Sequence, residues 1–312
     1  MEFITGLLAP LVTFSIILLL AALSGMLSER VGIINIGING VMIIGAVFYA
    51  VFAHIFRTSS PWMNLIIYPL SALMGVFFSW LHGYATIKLK ADHTVSGIAI
   101  NVLALAIALF LLGVVDPPSI QIEYYLTELA WSPSNFNPRN IISLKLFLTI
   151  AIVAVLIFVL NKTKWGLRFK AIGENPQAAD VAGINVNKMK WIGLSLAGLL
   201  AGLAGAIYSE KMSSGTYKGE VEGLGFLALA IMIMGQWKTG YIIISGIVFA
   251  ILYTVAVELN ASLLAALLPI KNTVGDLLQT IPYILTLIFL SAFSKKNQPP
   301  KAAGLPYDKS LR

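Results

Sequence analysis

The chain contains no cysteine, so disulfides, thiolate metal centres and cysteine nucleophiles are excluded, and the redox compartment leaves no mark on it. Histidine is nearly as scarce. His54, His82 and His93 are the only three, and they lack the close spacing, roughly two to five residues, of metal sites. Charged residues make up 11% of 312 positions, where a soluble domain carries about a quarter. These shortages leave little material for catalysis, and no cofactor is implied. They also exclude a water-soluble fold: 58% of residues are apolar and mean hydropathy is +0.86, more than a compact domain of this length can bury. The expected fold class is all-α, a polytopic integral membrane protein.

What is present is a series of long apolar runs. A spanning helix needs about 20 mostly apolar residues. Such runs lie at 3–23, 31–56, 63–87, 94–115, 142–160, 191–208, 224–236, 241–257 and 277–293. The run 224–236 is short, 263–270 is a leftover apolar piece, and 31–56 is too rich in Gly and Asn for one plain helix. Eight to ten crossings are expected. The string Leu-Ala-Leu-Ala-Ile occurs at 103–107 and again at 227–231, in runs of opposite expected direction; an inverted repeat and low-complexity coincidence both account for it.

Charge gives the orientation. The net +7 would point to nucleic acid in a soluble protein, but its placement argues for loops on the cytoplasmic side instead. Segment 161–190 holds Lys162, Lys164, Arg168, Lys170, Lys188 and Lys190 against Glu174 and Asp180, and segment 295–312 holds five basic residues against Asp308. Both are expected in the cytosol, while 116–140 and 210–222, which are net acidic, are expected outside. No nucleic-acid partner is implied. Glu2 and the absence of a basic leader region argue against a cleavable signal. The expected organisation is a transmembrane domain over 1–294 that includes the loop 161–190, followed by a basic tail over 295–312.

Within that loop, Gly173-Glu174-Asn175-Pro176-Gln177-Ala178-Ala179-Asp180-Val181-Ala182-Gly183-Ile184 has the grammar of a two-turn helix. Asn175 suits the cap, Pro176 the first helical position and Gly183 the left-handed stop. So short a helix holds only when packed against something. Two readings compete: a loop helix resting on its own protein, or a plug for a groove in another subunit.

This string resembles the coupling loop of binding-protein-dependent ABC importer permeases of the branched-chain amino acid, sugar and nucleoside type. Ser28-Glu29-Arg30-Val31-Gly32-Ile33-Ile34-Asn35-Ile36-Gly37, Thr94-Val95-Ser96-Gly97-Ile98-Ala99-Ile100-Asn101 and Pro300-Lys301-Ala302-Ala303-Gly304-Leu305-Pro306-Tyr307 look like the second permease of nucleoside importers with a lipoprotein receptor. The resemblance covers nearly the whole chain. It implies a permease subunit for nucleosides, with simple sugars and branched-chain amino acids as alternatives. It also implies three protein partners: an ABC ATPase subunit, a second related or identical permease, and an extracytoplasmic substrate-binding lipoprotein. Glu174, Asn175, Pro176, Ala178, Ala179 and Gly183 would form the ATPase coupling element.

The Gly-x-x-x-x-Gly-Lys-[Ser/Thr] phosphate loop is absent, so any ATP hydrolysis belongs to a partner and the chain itself is no enzyme. A secondary transporter would need acids or histidines near midplane, whereas Asp276, Glu258 and His82 fall near the ends of apolar runs. A scaffold without transport is the third class. The candidate path starts at Gly32 to Gly40, where three glycines in nine residues weaken a helix by about 1 kcal/mol each and favour an unwound turn. Asn35 and Asn39 there, with Ser96 and Asn101 as a second polar set, would either face cargo or join helices through hydrogen bonds. In the resembling family the position of Asn39 is commonly Glu. Gly198, Gly202 and Gly205 read instead as a close helix contact.

Overall fold

The computed structural model describes residues 2–56, 63–115, 120–121, 143–211, 216–262, 280, 283–284, 287–288 and 299–308. The expected external loop 116–140 apart from 120–121, the apolar piece 263–270, Asp276 and most of the run 277–293 lie outside the described residues. Among the described residues ten α-helices run in order: α1 (Glu2–Glu29), α2 (Ile38–Ile55), α3 (Asn64–Gly83), α4 (His93–Val115), α5 (Leu144–Lys162), α6 (Lys164–Glu174), α7 (Pro176–Val181), α8 (Val186–Lys211), α9 (Leu224–Met234) and α10 (Thr239–Ser262). A π-helical turn, Tyr84–Lys88, extends α3. Seven of the helices are long and apolar enough to cross a membrane, and α9 is a shorter apolar helix.

The run 31–56 is not one helix: α1 ends at Glu29, residues 30–37 are unwound, and α2 starts at Ile38. The strongly apolar α9 is only 11 residues long, about 16 Å at 1.5 Å per residue, half of a bilayer core. The chain reaches it through a non-helical stretch. Two-residue strands β1 (Ile120–Gln121) and β2 (Thr216–Tyr217) pair antiparallel, Tyr217 Oη donates to the Ile43 carbonyl of α2 at 3.4 Å, and α9 begins after left-handed Gly223. Two crossings are thus interrupted. The repeated Leu-Ala-Leu-Ala-Ile string falls on α4, with 23 residues, and α9, with 11, so it marks no matched pair of spans.

Long α8 is the centre of the bundle, packed on α1, α2 and α3. Its glycines allow this. A Cβ on Gly205 would lie 1.9 Å from the Met42 carbonyl oxygen, and one on Gly45 would lie 2.1 Å from that of Gly202. Gly75 meets Gly198 in the same way on α3. Lipid tails give helices no hydrophobic reason to associate, so this backbone-to-backbone approach supplies dispersion contact in its place. The glycine contact expected from the sequence is therefore internal to the subunit. Helices α4 and α5 are mostly exposed, with Val102, Phe110, Val155 and Phe158 turned outward.

Candidate functional site

The unwound segment 30–37 is fastened on three sides. Its reversal needs Gly32, whose φ is +81° and beside which the Ala302 carbonyl would sit 3.0 Å from any Cβ. Ile34 is held between two imidazoles: His93 Nδ1 accepts from the Ile34 amide at 3.1 Å, and His82 Nε2 lies 3.1 Å from the Ile34 carbonyl. Ser96 Oγ is 2.9 Å from His82 Nδ1. A neutral His82 donating from Nε2 and accepting from Ser96 satisfies both neighbours. One turn further, Asn101 Oδ1 accepts from the Gly40 amide at 2.7 Å while its Nδ2 donates to the Ile36 carbonyl at 3.1 Å. Backbone groups freed by the break thereby find side-chain partners on α3 and α4, the condition for irregular backbone within an apolar layer.

On the opposite flank, Asn39 Oδ1 accepts from the Gly225 amide at 3.2 Å, in the first turn of α9. Gly225 leaves no room between the two, because a Cβ there would lie 2.4 Å from Asn39 Cα. The starts of two helices that follow interruptions, α2 and α9, thus meet at one side chain. Asn35 is 2% exposed, and its Oδ1 is a buried acceptor without a hydrogen-bond partner among the described residues. The four polar residues singled out from the sequence do gather around one break. Three of them, Asn39, Ser96 and Asn101, have their hydrogen bonds taken up by protein. Among the described residues no group of three metal-ligating side chains forms.

The two histidines were missed as a pair. They are far apart by the standard of metal spacing, yet their rings come to 6.3 Å because α3 ends, and α4 begins, at the level of the break. The only sequence signal was that both flank the connection between two apolar runs. Asp92, in that connection, accepts from the Thr94 and Val95 amides at 2.8 and 3.0 Å and so starts α4. The Val95 hydrogen bond foremost holds the Asp92 carboxyl below its ordinary range.

At the same end of the bundle sits the basic loop. Thr163 caps α6 by accepting from the Gly166 amide at 3.1 Å, and Asn175 caps α7 by accepting from the Ala178 amide at 2.9 Å. Pro176 takes the first position of α7, and Gly183, with φ +81°, stops it, as the grammar of the string requires. The helix is two-faced. Pro176 and Ala179 are buried, whereas Gln177, Ala178, Ala182 and especially Val181, 76% exposed, point away from the protein. Glu174, Asn175 and Gly183 are exposed as well. Ala179, placed in the coupling element from sequence, therefore seats the helix on its own subunit.

A strap formed by residues 300–304 ties this loop to the break. The Ala302 amide donates to the Gly173 carbonyl at 2.8 Å, and the Gly304 amide donates to the Gly32 carbonyl at 3.2 Å. Arg30 donates from Nε and Nη2 to the Trp237 carbonyl at 3.1 and 2.6 Å, and Trp237 Nε1 donates to Glu29 Oε2 at 2.6 Å. Burial lowers the Arg30 pKa, with Glu174 opposing it. Beyond the strap, Lys90 pairs with Asp308. A polar hollow between 183–187 and Tyr307 opens beside α7. Backbone hydrogen bonds through the strap thus join the end of α6 at Gly173 to Gly32 in the break.

The model of a family described as branched-chain amino acid transport system / permease component matches residues 7–290. A nucleoside ABC transporter permease of Lactococcus lactis is 37% identical over 97% of this chain and 96% of its own length. A guanosine ABC transporter permease of Bacillus subtilis is 35% identical over 95% of this chain and 94% of its own. A putative glucose ABC transporter permease of Haloferax volcanii is 27% identical over 93% and 92%. No solved structure matches the chain.

Proposed function

The chain belongs to the permease-component family of branched-chain amino acid transport systems and is a multi-pass ABC transporter permease subunit, and from that premise we propose that its cargo is a nucleoside. The observation that carries this reading is the near full-length similarity, at 37% and 35% identity, to permeases named for nucleosides and for guanosine. The more distant glucose permease, at 27%, supports a sugar as the second reading.

Family membership implies ATPase and binding-protein partners. In our reading the ATPase takes the exposed face of α7, so that Ala178 and Val181 enter its groove while Glu174, Asn175, Pro176, Ala179 and Gly183 shape and seat the helix. A second permease completes the path, and a lipoprotein receptor delivers cargo from outside. The transmembrane domain occupies 1–294, and the basic loop 161–190 and tail 295–312 face the cytosol, as their charge favours. The path runs along the break at Asn35, Asn39, Ser96 and Asn101. Ser96, Asn101 and Asn39 hold its wall, and the Oδ1 of Asn35, without a partner among the described residues, is the group left to meet water or cargo when the wall moves. Closure of the ATPase tilts α6 and α7, and the strap carries that tilt to the break.

The test is uptake by the assembled complex in proteoliposomes, with loaded receptor outside and ATP inside. Labelled guanosine and uridine should accumulate only with ATP, and excess glucose or leucine should not compete. Accumulation of glucose instead would establish the second reading, and uptake by this chain alone on an ion gradient would overturn the ABC assignment of its energy source.

A further inference from the structure

Glu222 is an exposed acid in an unexpected place. It precedes α9 by two positions, with φ +50° followed by Gly223 at φ +71°, and three phenols surround it. Tyr253 Oη donates to Glu222 Oε2 at 3.1 Å, Tyr283 Oη donates to the Glu222 carbonyl, and the Tyr208 phenol lies close to the same residue. Phe226, on the first turn of α9, is 46% exposed beside it, its ring near Gly223.

Depth makes the placement informative. Thr239 starts α10 at the level of Trp237 and Met26, the end where the strap lies. Tyr253 is about 21 Å further along that helix at about 1.5 Å per residue, inside an apolar layer of about 30 Å. An exposed carboxylate at such depth is costly against lipid, and acids there face a watery path or the interior of an assembly. The phenols do not use up its capacity, because a carboxylate offers about four lone-pair sites. None of these groups takes part in holding the break at 30–37.

We infer that Glu222 and the rings of Phe226 and Tyr283 form the cargo subsite at the outer mouth of the path, fitted to a neutral nucleoside. The carboxylate accepts hydrogen bonds from the ribose hydroxyls, and an aromatic face stacks on the base. Its negative charge turns away nucleoside phosphates. The inference rests on the nucleoside reading above and adds the residues that enforce it.

The experiment uses the complete complex with uridine as probe. In Glu222→Gln, uridine moved per ATP hydrolysed should fall at least about tenfold, the size of one charged hydrogen bond, with Glu222→Asp recovering part of it. A merely structural role would lower transport, ATP hydrolysis and complex yield together and would overturn the proposal. So would an unchanged ratio of uridine to ATP. Because Glu222→Gln could fail to assemble, the unmutated complex is also photolabelled with an azidoadenosine in the absence of receptor. Attachment within 217–226 or at Tyr253 or Tyr283, blocked by uridine and not by uridine monophosphate, is expected; attachment only elsewhere overturns the subsite. If the unmutated complex imports glucose and no nucleoside, the reading of the cargo fails. Normal uridine import with an indifferent Glu222→Gln rejects the subsite alone.

Discussion

Gly205→Ala adds one methyl group at the tightest point of the bundle. The new Cβ would stand 1.9 Å from the Met42 carbonyl oxygen and 2.7 Å from the Met42 carbonyl carbon, where ordinary contact begins at 3.4 Å. Both are backbone atoms, so no side chain can swing aside, and α8 must retreat from α2 by about 1.5 Å at this level. A gap of 0.5–1 Å already forfeits about a quarter to a half of each contact's well of ~0.1–0.2 kcal/mol. Over several tens of atom pairs along the seam the loss is about 3 kcal/mol, the upper end for overpacked cores. At about 2–4 °C per kcal/mol this lowers the melting temperature by roughly 6–12 °C. The assay is thermal stability of the purified subunit or complex in detergent, followed by size exclusion. Gly113→Ala on α4 is the control, since among the described residues nothing lies within 4 Å of its Cβ, and its melting temperature should not fall. An unchanged melting temperature for Gly205→Ala, or equal losses for both variants, would refute the close-approach argument.

Asn101→Ala leaves the Gly40 amide and the Ile36 carbonyl without partners, and stability should drop by about 2 kcal/mol while uptake per folded complex persists. Lost uptake at unchanged stability would instead make Asn101 a cargo contact. Val181→Asp changes the most exposed apolar side chain of α7, 76% open, and leaves the fold alone. Full burial of such a side chain is worth about 1.5–3 kcal/mol, so docking of the ATPase should weaken at least about tenfold, read as loss of receptor-stimulated ATP hydrolysis. Unaltered hydrolysis at low ATPase concentration would remove α7 from the interface.

Much of the architecture was legible because lipid permits so few solutions: apolar runs of sufficient length had to be helices, and the basic segments flagged one end. The Asn175-Pro176 start and Gly183 stop of α7 could be read residue by residue, since caps depend only on neighbours. The break was visible in its glycines, but its fastening was not. His82, His93 and Asn101 act on Ile34, Ile36 and Gly40 across 48 to 65 positions of sequence, and no local period encodes such pairings. The direction of Ala179 was illegible for a similar reason: a two-turn helix of small residues has no apolar stripe to show which side rests on the protein. Glu222 stood in a segment read only as external and acidic. Its significance depends on Tyr208, Tyr253 and Tyr283, which three separate stretches of chain bring to it.

The strap has a bearing on how the protein is made. Ala302 and Gly304 follow every described helix, so the amides that bind Gly173 and Gly32 are translated only after all of those helices. The clasp therefore joins the turn between the first two helices to a segment translated some 270 residues later. A chain truncated after Gln298 would keep every described helix and lack that clasp, so limited proteolysis should cut it at the Gly32 turn faster than the full-length chain.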